Sequence, residues 1–315
     1  MPSGSWGTFF LLFVTLALCE GKGKRKKTAQ PPSQWQCRGF TSTVSHNNIP
    51  SATANENVFV FKMPKAGSKS FLENFVSLNC NATEPAHIEW SENCAGKGPL
   101  YVTLREPTAH VISMYNHCQH GQGMGIHHYD RVSLKEWLTA WASADRATAG
   151  KLLRETCGYS PRNFQTSRLD GAACAGKRKR VPTLAGARHA LRAAKFVGVT
   201  HWMDASVCVA YFKLHGSLPA TCTDLCSASA EHLSKDTHGV NHTLIDSLPI
   251  DASTLALIWG LTRADQIIYA DAVGRFVHDA RAIEQAAGAR LLCADVEGSA
   301  PVDRFINTTT HLTSD

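Results

Sequence analysis

A chain of 315 residues with 43% hydrophobic content is long enough for one large domain or two small ones, and too apolar for wholesale disorder. Its net charge of +6 is concentrated in two short runs, Lys22 to Lys27 and Lys177 to Arg180, and outside them the balance is negative. That distribution argues for local basic patches and against a general nucleic-acid-binding surface.

The apolar run from Thr8 to Cys19 is too short for a comfortable membrane span, and Ala17-Leu18-Cys19 places small residues where a signal peptidase cleaves. Residues 1 to about 20 therefore read as a signal peptide. A short signal anchor, which would leave a membrane tether, is the alternative, and an organelle-targeting leader stays open. Residues 21–56 are basic and polar, with Pro31-Pro32, and read as a stem or linker. The folded domain is expected over residues 57–295, with a loose tail over 296–315. Of 11 cysteines, all but Cys19 follow the apolar run, an even number that fits disulfides in an exported chain. Sequons at Asn81, Asn241 and Asn307 agree with that route. Cys222 and Cys226 have no matching second pair of the zinc kind.

Within the domain, Val58 to Phe61 reads as a buried strand. Pro64 and Gly67 break it, and Phe71, Leu72, Phe75 and Val76 then fall on one helical face. Strand, small-residue loop and helix make a phosphate cradle, in which loop N–H groups and the positive end of the helix meet an anion. Lys65 and Lys69 add charge, and Ser68 and Ser70 add hydroxyls. With only Gly67 present, the spacing is not that of a Walker A motif. Residues 80–98 are polar and read as a loop containing His87-Ile-Glu-Trp-Ser-Glu92. Leu100 to Leu104 reads as a second strand, followed by Arg105-Glu-Pro107 and a helix from about Thr108 to Cys118 bearing Ser113.

Further on, His117, His120, His127 and His128 lack a compact ligand spacing and read as part of a loop. Helices are expected over 134–144, 183–194 and 204–214, with a third strand over 195–200. Lys177 to Arg180 reads as either a landing patch for an anion or a solvated loop. Asp251 is a candidate N-cap for a long helical stretch to about Ala287, with a break expected at Gly260 or Gly274. Strands alternating with helices give an α/β fold with a parallel sheet.

Five segments in this order resemble the carbohydrate sulfotransferases. Pro64-Lys-Ala-Gly-Ser-Lys-Ser-Phe71 is similar to that family's Pro-Lys-Thr-Gly-Gly-Thr-Ser-Leu loop, with Ala66, Ser68 and Lys69 as departures. His87-Ile-Glu-Trp-Ser-Glu92 resembles the His-Ala-Asp-Trp-Thr-Glu segment of heparan sulfate 6-O-sulfotransferases. Arg105-Glu-Pro107 with Ser113, and Asn163-Phe-Gln-Thr-Ser-Arg-Leu169, resemble two further motifs, the latter with Ser167 where arginine is usual. The late Phe196-Val-Gly-Val-Thr200 stretch is also similar, with His201 in place of glutamate.

The resemblance implies a P-loop-like three-layer fold, a central parallel sheet flanked by helices, and transfer of a sulfuryl group from 3′-phosphoadenosine 5′-phosphosulfate (PAPS) to an acceptor hydroxyl. It implies that Lys65, Ala66, Gly67, Ser68, Lys69, Ser70 and Phe71 hold the 5′-phosphosulfate and that Arg105 and Ser113 grip the 3′-phosphate. Lys65, or its rival Lys69, would meet the bridging oxygen, and His87 would take the acceptor's proton. No metal is required by that chemistry. The implied acceptor is a carbohydrate, with an anionic polysaccharide as a further partner, in the Golgi lumen or outside the cell. Two other classes stay open: a nucleotide-dependent kinase, and a non-catalytic secreted glycan-binding protein whose cradle has decayed.

Overall fold

The computed structural model describes residues 58–61, 63–80, 88–91, 100–120, 132–143, 159–171, 182–227 and 250–293. The signal and stem segments, His87, the sequons, His127, His128 and the basic run 177–180 lie outside them.

Four short strands form one sheet: β1 (Val58–Phe61), β2 (Ile88–Ser91), β3 (Leu100–Leu104) and β4 (Phe196–Val199). Their order is β2-β1-β3-β4 and every pairing is parallel. β3 is buried along its whole length, as a parallel strand covered on both faces must be. The chain passes from β1 through helix α1 (Ser68–Cys80) to β2, then recrosses β1 to reach β3. The strand order therefore reverses between β1 and β3, and in open α/β sheets ligands bind outside the carboxyl ends of strands at such a point.

The remaining helices are α2 (Pro107–His120), α3 (Leu134–Ala142), α4 (Phe164–Leu169), α5 (Leu184–Ala193), α6 (Met203–His215), α7 (Ala252–Leu261) and α8 (Arg263–Ala287). The architecture is α/β, a parallel sheet with flanking helices. α1 covers the sheet through aromatic rings: Phe71 stacks on Phe75 and Phe196 at 5.4 Å each, and Phe75 meets Tyr101 at 5.6 Å. Such pairs add specific geometry to a large apolar burial. A separate apolar cluster joins Val111, Ile112 and Met114 of α2 to Trp137 and Leu138 of α3 and to Ile258 and Leu261 of α7.

Two expectations change. The segment read as a loop before Gly98 contains β2, an edge strand whose four residues Ile88-Glu-Trp-Ser91 are too few to stand out within a polar stretch. The break in the late helical stretch falls at Thr262, and Gly274 stays helical. The cause is tertiary capping: Asn163 Oδ1 accepts from the N–H groups of Ala264, at 2.9 Å, and Asp265, at 3.4 Å, and so starts a new helix there. Asn163-Phe-Gln-Thr also opens a helix of its own, α4.

Among the described residues two disulfides, Cys208–Cys222 and Cys226–Cys293, tie the segment after α6 to α6 itself and to the strand-like residues after α8. Disulfides of this kind are compatible with a secreted or lumenal protein. Among the described residues no helix is long and apolar enough to cross a membrane.

Candidate functional site

The loop between β1 and α1 is held from behind through its carbonyls. The Met63 carbonyl accepts from the Ser68 hydroxyl at 2.9 Å and from the Ala66 N–H at 3.2 Å. His110 Nε2 lies 2.8 Å from the Pro64 carbonyl, and Arg105 donates to the Lys65 carbonyl at 3.3 Å. The Ala66 carbonyl accepts from both Thr103, at 3.2 Å, and Thr200, at 3.0 Å. The Thr200 hydroxyl also lies 2.9 Å from the Leu104 carbonyl, so its one proton is shared between the loop and the end of β3.

With its carbonyls turned inward, the loop leaves the first N–H groups of α1, those of Ser68, Lys69 and Ser70, without a preceding helical turn to accept them. They and the helix dipole favour an anion. Two residues adopt left-handed backbone: Gly67 at φ 70° and Lys65 at φ 64°. A side chain at Gly67 would meet Met203 at 2.8 Å and Thr200 at 2.9 Å, so only glycine fits. Lys65 has no such licence, and a non-glycine residue in this region costs roughly 1–2 kcal/mol. Backbone held in a costly region clusters at binding loops.

Arg105 stands at the carboxyl end of β3, across the strand-order reversal from the loop. Lys65 and Arg105 are both held below their ordinary proton affinities, first by burial and, for Lys65, also by the Arg105 charge. Neither has an ion-pair partner among the described residues. Two partly buried cations in mutual repulsion gain from any anion placed between them. Glu106 does not serve that purpose directly, because its carboxylate caps α2 by accepting from Thr108 at 2.9 Å and Ala109 at 2.6 Å.

The sequence-expected residues divide by what they offer. Lys65, Gly67 and Arg105 converge on the loop, and Ser70 opens α1 with a hydroxyl that has no protein partner among the described residues. Lys69 is exposed and pairs with Glu73 at 3.6 Å, one turn along its own helix. The Ser68 hydroxyl is turned inward onto Met63, so its backbone N–H is what remains for a ligand. Ala66 and Phe71 are scaffold: both side chains are in the core, and the Phe71 N–H donates to the Gly67 carbonyl at 2.8 Å. Ser113 lies one turn beyond His110 on α2. His87 falls outside the described residues. No group of three histidine, cysteine or acidic side chains able to hold a metal occurs among the described residues.

Sequence reading passed over His110, Thr103, Thr200, Gln165 and Asp265. His110 is fully buried, and burial pushes its imidazole down to about 4, so it is neutral at pH 7. Because a carbonyl can only accept, Nε2 carries the proton and donates to Pro64. Asp265 is buried as well, which raises its carboxyl to about 6. It accepts from Thr166 N and Oγ1 at 2.7 Å each and from Gln165 N at 3.2 Å.

These two groups oppose each other on acidification. The unfolded His110 binds a proton from pH 6.5 downward and the folded one only near 4, so stability falls across that window by about 3 kcal/mol. Asp265 holds its proton more tightly when folded, so it favours the fold as pH drops from about 6 to 3.8. His110→Gln keeps a donor for Pro64 and removes the first effect. The stability of this variant relative to wild type should therefore rise by about 3 kcal/mol between pH 7 and pH 4 in urea unfolding. Parallel curves would show that His110 does not titrate as a buried neutral base.

No family model, no curated protein and no solved structure matches the chain.

Proposed function

We propose that the chain is a PAPS-dependent sulfotransferase of P-loop-like fold, acting on a hydroxyl of a carbohydrate in the Golgi lumen or outside the cell. The observation that carries this reading is the pairing of Lys65 and Arg105 at the strand-order reversal, with the Arg105 guanidinium on the Lys65 carbonyl. An anion-binding loop and a second phosphate-gripping arginine on adjacent strand ends match what a donor with a 5′-phosphosulfate and a 3′-phosphate requires.

In this reaction the acceptor oxygen attacks sulfur in line with the bridging oxygen. The new S–O bond forms as the old one breaks, and 3′-phosphoadenosine 5′-phosphate leaves with the bond's electron pair. His87 takes the acceptor's proton. Lys65 and the N–H groups that open α1 meet the charge building on the leaving phosphate, where preorganised donors act most strongly.

Thermal unfolding with 3′-phosphoadenosine 5′-phosphate tests the reading. At about a hundred times its dissociation constant the nucleotide should stabilise wild type by about 2.7 kcal/mol, and Arg105→Ala should lose most of that gain. A shift with ATP alone would favour the kinase. Silence from both nucleotides in folded wild type would remove both enzymes and leave a glycan-binding protein.

A further inference from the structure

We propose that Gln165 is a positioning residue for Arg105, a role that rests on reading Arg105 as the grip on the donor's 3′-phosphate. β3 ends at Leu104, and its partner β4 ends at Val199, opposite Leu104. The chain then turns into a short helical turn at Thr200, so Arg105 has no strand beside it. The Gln165 carboxamide takes that place. Its Oε1 accepts from the Arg105 N–H at 2.9 Å, and its Nε2 donates to the Arg105 carbonyl at 2.9 Å. A primary amide offers the donor and acceptor of a peptide group, so one side chain extends the ladder by one residue.

The clamp is itself fixed. Gln165 is 1% exposed, on the first turn of α4. Asp265 of α8 accepts from the N–H groups that open α4, and Asn163 accepts from those that open α8. This reciprocal capping ties a six-residue helix, too short to persist alone, to one of 25 residues. Arg105 thereby keeps its backbone fixed, and its side chain reaches the Lys65 carbonyl with one of its five N–H donors. Among the described residues the others have no partner, which leaves them for an anion.

A merely structural glutamine would satisfy two backbone groups and affect every ligand alike. A positioning one must act through Arg105. Gln165→Met keeps the length of the side chain and removes both hydrogen-bonding groups. Affinities for 3′-phosphoadenosine 5′-phosphate and for adenosine 5′-monophosphate are measured by calorimetry on wild type, Gln165→Met, Arg105→Ala and the double variant. Gln165→Met should weaken the bisphosphate about ten-fold, as expected for a loosened charge-assisted contact, and leave the monophosphate unchanged. In the Arg105→Ala background it should weaken neither further. Equal losses for both nucleotides, or losses that multiply in the double variant, overturn the proposal.

Amide hydrogen exchange provides a second readout. The Arg105 amide should exchange faster in Gln165→Met while Val102, in mid-strand, keeps its protection. An unchanged Arg105 amide overturns the clamp. If wild type binds neither nucleotide, the sulfotransferase reading falls, and with it the catalytic purpose of the clamp, while exchange still decides whether the clamp exists.

Discussion

On the proposed reading, Lys65→Ala should lower sulfuryl-transfer turnover by about 10²–10³-fold, the usual loss when one preorganised group facing developing charge is removed. Lys69→Ala should change turnover little, because Lys69 is exposed and pairs with Glu73 at 3.6 Å. Lys65 is instead half-buried beside Arg105, and its proton affinity is lowered by burial and by that neighbour's charge. The backbone permits a further distinction. Lys65 sits at φ 64°, so Lys65→Gly relieves a strain that Lys65→Ala retains. The glycine variant should be the more stable of the two by about 1 kcal/mol, and both should be equally inactive. Equal inactivity in two variants of unequal stability cannot be a folding defect. Full activity in Lys65→Ala with loss in Lys69→Ala would move the role to Lys69.

What the sequence made legible follows from periodicity. β1, β3 and β4 are short apolar runs, and α1 carries Phe71 and Phe75 one turn apart, so their burial demanded these elements whatever the partners. Asp251 was readable as an N-cap because its acceptor serves its own chain three residues on, at Thr254, 2.6 Å away. The rest depended on contacts distant in sequence. The helix break at Thr262 is made by Asn163, about a hundred positions earlier. β2 is four residues long within a polar stretch and is marked as a strand by its pairing with β1, from Val58 opposite Ile88 to Phe61 opposite Ser91.

The site divides in the same way. In the candidate site, Lys65 and Gly67 stood out by residue type in a strand–loop–helix, and Arg105 only through the resemblance. The residues that shape it did not: His110, Thr103 and Thr200 act on loop carbonyls, and a carbonyl leaves no mark in a sequence. Gln165 lay within a segment already singled out, but attention to the arginine usual at Ser167 hid the amide two places earlier. The physical content of that segment is capping and clamping, and Ser167 takes no part in either through its side chain.

Breaking the Cys226–Cys293 bridge should cost the fold about 4 kcal/mol, because the bridge closes a loop with a sequence separation of 67 and so removes much freedom from the unfolded chain. Cys208–Cys222 closes a separation of only 14, for which the same argument gives about 3 kcal/mol. The longer bridge also secures a small parallel pairing. Leu225 N donates to the Arg290 carbonyl and Arg290 N to the Thr223 carbonyl, at 2.8 Å each, and Arg290 pairs with Asp224 at 3.4 Å. These contacts hold the segment after α8 against the segment after α6, and the exposed ion pair adds little by itself. A Cys226→Ser, Cys293→Ser double variant should therefore unfold at markedly lower urea with a similar slope. Binding of 3′-phosphoadenosine 5′-phosphate at the proposed site should be unchanged, since none of the residues proposed for it belongs to this region. Reduction of wild type should reproduce the loss, with the buried Cys208–Cys222 bridge resisting longest. Unchanged stability in the double variant would mean that backbone pairing alone holds the two segments, and that the bridge is dispensable to the fold.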